Sequence, residues 1–383
     1  MKKRKVLFIT ERRADYSRLK PIMQLVQKST KLELQLVVTG LHLIKEFGET
    51  KHVLKQDGFK VDASIPVFTA KDKDDGATMA RALSMYIAKI TDVVERLKPD
   101  LIFCGFDLDA HLAAAIVGMH MNIPVAHIQG GERSGTLDEV LRHAITKFSH
   151  IHFVATEESK KRVIRLGEDP KYVFLVGSPS LDTIHSISYP SREAIFEKYG
   201  LDPKKPLIVF LQHPVTTEVH DVERQIKESI EAIQAVAKKE DAQVLAIYSN
   251  NDAGGRRIVS HLKRSGFIVY PHILYEDYLR ILKHATVLAG NSSTCIHEAP
   301  SFGLPTVNIG TRQQLRERGA NVIDVANTKT AIERVLRKAM TDSKLRARIK
   351  RAKNPYDHGN TAQSVVRILE RVKLPNVQKV LTY

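Results

Sequence analysis

An α/β architecture of two Rossmann-like, doubly wound domains in series is predicted by three features of the sequence. Short apolar runs of strand length alternate with amphipathic helical stretches along the chain, the pattern of parallel sheets covered by helices. The alternation breaks once, around 186–206, where three prolines and a short helix intervene, and then restarts. A chain of 383 residues also exceeds one ordinary domain, so two are expected.

The first strand is read at 6–10, VLFIT. The start MKKRK is basic, but only five apolar-leaning residues precede Glu11, Arg12 and Arg13, so a buried strand is expected rather than a signal peptide. A helix over 17–28 and a strand over 34–39 follow. Residues 68–76 are charged and read as a mobile loop, and a long helix over 77–97 is stopped by Pro99. A strand over 101–104, a helix over 111–121, a strand over 124–128, a helix over 137–149 and strands over 151–155 and 172–176 complete the first sheet. After the break come a strand at 207–211, a helix at 222–240, a strand at 243–248, a helix at 255–265, a short strand at 268–270, a helix at 275–284 and strands at 286–289 and 306–309. This organisation implies domains over 1–186 and 187–360, with a last helix in 361–383 that crosses back to the first. Ligands in such sheets sit at the carboxyl ends of strands, which here means the cleft between the halves.

Hydrophobic residues make up 43% and charged residues 27%, within the range of soluble globular proteins. No apolar run reaches membrane-spanning length, so no membrane partner is expected. The two cysteines, Cys104 and Cys295, exclude a disulfide framework and argue against a zinc site, and point to a reducing cytoplasm. A net charge of +16 suits nucleic acid, anionic membranes or anionic small molecules. Lysine and arginine are scattered along helical stretches instead of clustering with aromatics, so a small anionic substrate is expected and nucleic acid is not.

The stretch the chain is organised around is 290–318, GNSSTCIHEAPSFGLPTVNIGTRQQLRER. Ser292, Ser293 and Thr294 stand at the mouth of a helix, where free backbone N–H groups favour an anion or where hydroxyls simply cap. Glu298 lies a turn further on, placed for sugar hydroxyls, and three arginines, Arg312, Arg316 and Arg318, lie close behind. After the first strand, Arg13 faces the cleft, either as a phosphate ligand or as solvated surface. The glycine-rich dinucleotide fingerprint is absent, so no nicotinamide cofactor is expected. Asp107 and Asp109 follow the 101–104 strand, as a capping pair or as proton-handling acids. Past the 124–128 strand come Gln129, Gly130, Gly131 and Glu132, then Asp138 and Arg142, four apart on one helical face and able to pair. The double glycine lets backbone approach a ligand closely. His213 ends the first strand of the second half, a general acid or base candidate. No metal-ligand spacing or Ser-His-Asp order is present.

Taken together, RRADY, IPVAHIQGGERSGTLDEVLRHAITKFSHIHFVATEESKKR, VFLVGSPSLD, QHPVTTE, NNDAGG and GNSSTCIHEAPSFGLPTVNIGTRQ resemble the UDP-N-acetylglucosamine 2-epimerase family. They are most similar to its hydrolysing branch, which serves sialic and legionaminic acid synthesis. The resemblance implies a GT-B fold, a UDP-sugar substrate, no cofactor and a homodimer. It implies Arg13 near the diphosphate, Ser292 and Ser293 as its cradle, Glu298 on the ribose, and His213 at the diphosphate or in proton transfer. Asp107, Asp138 and Arg142 match the sugar-side catalytic positions, with Gln129, Glu132 and Arg312 also at the substrate. The implied chemistry removes the proton at sugar carbon 2, expels UDP to give a 2-acetamidoglucal, and adds water to give the free manno sugar. Four positions depart from the family pattern. Leu108 and Ala110 stand where Arg and Glu are usual, Gln129 where Glu or His is usual, and Leu315 where RQxGR has glycine. A non-hydrolysing epimerase, a GT-B glycosyltransferase and a nucleotide-sugar binding protein without turnover remain as alternatives.

Overall fold

The computed structural model describes residues 2–45, 48–69 and 72–383. The chain begins β1 (Arg4–Thr10), α1 (Arg13–Lys28), β2 (Leu32–Thr39), α2 (Lys51–Gln56), β3 (Ala63–Ile65), α3 (Gly76–Leu97), β4 (Leu101–Gly105), α4 (Asp109–His120) and β5 (Val125–Ile128). It continues α5 (Asp138–Phe148), β6 (Ile151–Val154), α6 (Glu157–Arg165), β7 (Val173–Leu175), α7 (Ser180–Ser186) and α8 (Arg192–Lys198). The second half is β8 (Leu207–Leu211), α9 (Val222–Lys239), β9 (Gln243–Ile247), α10 (Gly255–Lys263), β10 (Ile268–Tyr270), α11 (Tyr275–His284) and β11 (Val287–Gly290). It closes with α12 (Thr294–His297), β12 (Thr306–Ile309), β13 (Val322–Val325), α13 (Lys329–Thr341), α14 (Ser343–Lys350) and α15 (Thr361–Arg371).

Two parallel sheets result, with one shared logic. The first runs β3-β2-β1-β4-β5-β6-β7 and the second β10-β9-β8-β11-β12-β13. Each is wound outward from a central strand and then resumed on that strand's other side, so the order reverses between β1 and β4 and again between β8 and β11. A parallel sheet needs cover on both faces, and β4, β8 and β11 are buried along their whole length.

Helix α1 starts earlier than the 17–28 expected from periodicity. Asp15 accepts hydrogen bonds from the backbone N–H groups of Glu11 and Arg12, each at 2.8 Å, which satisfies the free donors of the first turn and pulls Arg13 into the helix. The 68–76 loop includes residues 70 and 71, which lie outside the described residues. Its end is ordered by Asp75, whose side chain caps α3 at Thr78, and by Asp74, which accepts from the N–H groups of Gly254 and Arg256 at the start of α10.

Helix α15 lies on the first sheet's side of the molecule. Ala362, Val365, Val366 and Leu369 share a core with Val6, Phe8, Leu19 and Ile22, and Arg4 donates to the terminal carbonyls of Leu369 and Val372. Leu181 and Ile184 of α7 instead pack in a core of the second sheet, together with Phe196, Val209 and Leu279.

Gly290, where β11 ends, has φ +129°, and a Cβ there would stand 2.0 Å from the carbonyl oxygen of Leu211. The ends of β8 and β11 can lie this close only with glycine at 290. Gly290→Ala is therefore expected to lower stability by about 3 kcal/mol or more, measured as the urea midpoint; an unchanged midpoint would show that the two strand ends separate freely.

Candidate active site

The two points of strand reversal face each other across one cleft, and loops leaving β1, β4, β8 and β11 supply its walls. The cavity has a volume of about 490 Å³, lined on the first side by Arg12, Arg13, Arg18, Asp107 and Asp138. Facing them are His213, Ser292, Ser293, Glu298, Arg312 and Arg316. A volume of that size is typical of small-molecule sites, and reversal points are where open α/β sheets bind ligands.

Asn291 laces the second wall together. Its side chain accepts from the N–H of His213 at 2.7 Å and donates to the His213 carbonyl at 2.9 Å, so the ends of β8 and β11 hold one geometry. Ser292 Oγ accepts from the N–H of Thr294 at 3.3 Å, and Ser293 Oγ accepts from Arg18 at 3.0 Å. The helix they open, α12, is a single short turn continued by a 3-10 turn at Ala299–Phe302. Glu298 is buried. Its Oε1 meets the Tyr275 hydroxyl at 3.3 Å and Arg18 at 3.5 Å, whereas Oε2 has no partner among the described residues. A buried carboxylate oxygen without a donor is costly, and ligand hydroxyls would relieve that cost.

His213 is held as a neutral ring. The backbone N–H of Asn250 donates to its Nδ1 at 3.1 Å, which leaves the proton on Nε2. Burial, then the charges of Arg312 and Arg12, lower its pKa well below the ordinary histidine value. The ring can donate a hydrogen bond from Nε2, but a general base role does not suit it.

On the first wall Asp107 pairs with Arg142, and Arg316 stands 3.8 Å away. Burial alone would raise the Asp107 pKa, but Arg142, Arg316, Arg12 and Arg312 outweigh it and hold the group ionised. Asp138 behaves in the opposite way: burial and the neighbouring Asp107 push it up, against the pull of Arg312 at 3.1 Å. Two carboxylates at one site with pKa values driven apart fit a division of labour in which one handles protons and the other stays charged.

Three expected site residues do not reach the cavity. Arg142, Glu132 and Gln129 lie behind the wall, each almost wholly buried. Arg142 does not pair with Asp138 as the helical spacing suggested; it turns to Asp107 and to the Glu132 carbonyl at 3.1 Å, leaving Asp138 to Arg312 across the cleft. Gln129 sits at φ +58° and donates to Glu132 at 2.8 Å. Glu132 accepts from His297 and Arg316 of the second side at 3.0 and 2.7 Å, and those charges hold its pKa far down despite burial. The double glycine serves packing, not a ligand. A Cβ at Gly130 would strike His127 and Thr146, and one at Gly131 would strike the Ser159 carbonyl. Nor do Asp107 and Asp109 cap together, since Leu108 is the residue preceding α4.

Arg13 lines the cavity and donates to the Ile273 carbonyl at 2.7 Å, with burial lowering its pKa to about 10. Sequence reasoning passed over Arg12, Arg18, Arg316, Asn291 and Tyr275. Arg12 and Arg316 were signalled by the RR and RQQLR runs themselves. Leu315, where the family pattern has glycine, is exposed at φ +65°, the left-handed conformation that glycine adopts without cost.

Two doubly wound lobes with their reversal points turned onto one cleft form the GT-B arrangement, a scaffold for nucleotide-sugar chemistry. The chain belongs to the UDP-N-acetylglucosamine 2-epimerase family, whose model matches residues 24–370. It is similar to the UDP-N,N'-diacetylbacillosamine 2-epimerase (hydrolyzing) of Legionella pneumophila, at 37% identity over 97% of each chain. The UDP-N-acetylglucosamine 2-epimerase of Neisseria meningitidis is 33% identical, over 98% of this chain and 97% of that one. The crystal structure of UDP-GlcNAc 2-epimerase from Neisseria meningitidis bound to UDP-GlcNAc shares the fold, with a TM-score of 0.81 at 20% identity, covering 95% of this chain and 99% of that one.

Beside the cavity, Glu11 is buried, accepts from the Ala110 N–H at 3.2 Å, and has its pKa raised by burial to about 8. Its folded value exceeds the ordinary 4.5, so ionisation favours the unfolded chain. Its stability contribution is whole below that ordinary value and is lost as the pH rises towards about 8. Glu11→Gln should therefore gain about 2–4 kcal/mol over wild type between pH 5 and pH 8, read from urea unfolding at both pH values; an equal difference at the two would show Glu11 ionised throughout.

Proposed function

We propose that the protein is a hydrolysing 2-epimerase that converts a UDP-N-acetyl amino sugar into the free manno-configured sugar and UDP. The observation that carries this reading is the split carboxylate pair, Asp107 and Asp138, set across a nucleotide-sized cleft from the Ser292–Ser293 loop and the unpartnered oxygen of Glu298. Membership of the epimerase family and the hydrolysing relative from Legionella pneumophila support it.

In this reading the second lobe holds the nucleotide. Glu298 Oε2 accepts the ribose hydroxyls, and the Ser292 and Ser293 loop meets the diphosphate with N–H and hydroxyl donors. His213 donates from Nε2 to the departing phosphate, and Arg13 and Arg312 offset the charge that grows there. Proton transfer belongs to the first lobe. Asp138 takes the proton from carbon 2, because a carboxylate with a raised pKa is the better base at neutral pH. Asp107 stays charged and, gripped by Arg142, steadies the positive charge of Arg12 and Arg316 around the sugar. Departure of UDP leaves the 2-acetamidoglucal, and water adds across its double bond. Gln129 and Glu132 act through the frame behind the wall.

The substrate is UDP-N-acetylglucosamine or a diacetamido relative, as the names of the two similar enzymes suggest. Incubation with UDP-N-acetylglucosamine and, separately, UDP-N,N'-diacetylbacillosamine, followed by NMR, tests this. Free manno sugar plus UDP is expected; an intact UDP-manno sugar would make the enzyme non-hydrolysing, and binding without turnover would make it a binding protein. Asp138→Asn should cut kcat at least tenfold while UDP affinity stays within about twofold, equivalent to less than about 0.5 kcal/mol. Normal turnover would remove Asp138 from the proton path. Glu298→Ala should weaken UDP binding about tenfold or more in calorimetry, and unchanged affinity would sink the ribose assignment.

A further inference from the structure

A second, smaller recess, with a volume of about 20 Å³, adjoins the cleft. Arg12, Asp107, Leu108 and Asp138 line both it and the main cavity, so the two spaces share a wall that carries the catalytic carboxylates. Asp109 from the start of α4 lines the recess together with Thr216, Asn251 and Asp252 of the second lobe. The hydroxyl oxygen of Thr216 is buried and has no partner among the described residues. A site needs roughly 10–15 Å³ and two to four polar partners to hold one water molecule. The recess meets both conditions and is far too small for a sugar ring.

Hydrolysis needs a second reactant, and with the substrate filling the main cavity it must come from a space that touches the reacting carbons. We propose that this recess binds the hydrolytic water and that Asp109 takes the proton of that water as it adds to the anomeric carbon. The inference rests on the hydrolysing reading above. In the step, the water oxygen bonds to carbon 1 of the 2-acetamidoglucal and sheds a proton to the Asp109 carboxylate. The electron pair of the C1–C2 double bond takes a proton from solvent at carbon 2, on the face opposite Asp138, which gives the manno configuration, and Asp138 returns to solvent the proton it received when UDP left.

Asp109 suits the task better than its neighbours. Asp107 is engaged by Arg142, and Asp138 is still occupied by the proton it took from carbon 2. Burial, then the charge of Asp252, bring the Asp109 pKa up to about 6, which leaves it mostly ionised at neutral pH and still basic.

The test uses the full chain, UDP-N-acetylglucosamine and proton NMR of the products. Thr216→Leu fills the recess, and Asp109→Asn keeps its shape while removing the base. Both variants are expected to keep releasing UDP while the ratio of 2-acetamidoglucal to free manno sugar rises at least tenfold. UDP release with a wild-type product ratio in both would overturn the water site and leave the hydrolysing reading standing. Variants that are folded and bind UDP normally yet release none would also overturn it, because the recess would then serve the elimination. A wild-type enzyme that yields no free sugar would remove the hydrolysing reading itself and the proposal with it.

Discussion

The cleft depends on a buried lattice of arginines and carboxylates whose members come from both lobes. Glu132 of the first lobe meets His297 and Arg316 of the second, Asp138 meets Arg312, and Arg18 reaches Ser293 and Glu298. Taking such charges out of water costs several kcal/mol each unless they are paired and hydrogen-bonded. The pairs that cross the cleft form only when the lobes are together. The charge state of the cleft's carboxylates therefore depends on both lobes: after Arg142, the arginines that hold Asp107 ionised include Arg316 and Arg312 from the opposite lobe. The loops that meet are close enough for a backbone bond, the Gly135 N–H donating to the Arg312 carbonyl at 3.0 Å.

Within each lobe the same economy of position recurs. Asn291 joins the ends of β8 and β11, and on the first side His111 does similar work between β4 and α1. Its Nδ1 accepts from the Gly105 N–H at 2.9 Å and its Nε2 meets Asp15 at 3.3 Å. Asp15 in turn holds the N–H groups of Glu11 and Arg12, so the loops that carry Arg12 and Asp107 into the cleft are braced against each other. His111 and Asn291, which do not line the cavity, therefore help to fix where the side chains that line it stand.

Much of this was legible in the sequence, for reasons that also mark the limit. The strands at Leu207–Leu211, Ile268–Tyr270 and Thr306–Ile309 and the helix at Tyr275–His284 match their expected bounds, because a continuous apolar run or a clean helical period identifies them. Strand Ala63–Ile65 and helix Lys51–Gln56 went unread, being too short to show a period, and no expectation covered Val322–Val325 or the two helices after it. The strand ends pointed to the cleft, and His213, Ser292, Glu298, Asp107 and Asp138 all line it. Depth was not legible. Gln129 leaves β5 with a left-handed backbone, which turns its side chain and the following loop inward, and Arg142 chose a partner distant in sequence over the one four residues away. Spacing along a helix lists possible pairs; burial selects among them.

Helix α15 adds a mechanical point. The chain passes from the first lobe to the second near α7 and α8 and returns near Tyr356, whose carbonyl accepts from the Ser178 N–H at 3.0 Å, before Thr361 Oγ1 bonds the Val176 carbonyl at 2.8 Å. Two covalent crossings side by side act like paired pins on a door: whatever movement they allow, they resist swivelling of one half against the other. An opened molecule would therefore come back to the same registration, with Asp138 again opposite Arg312.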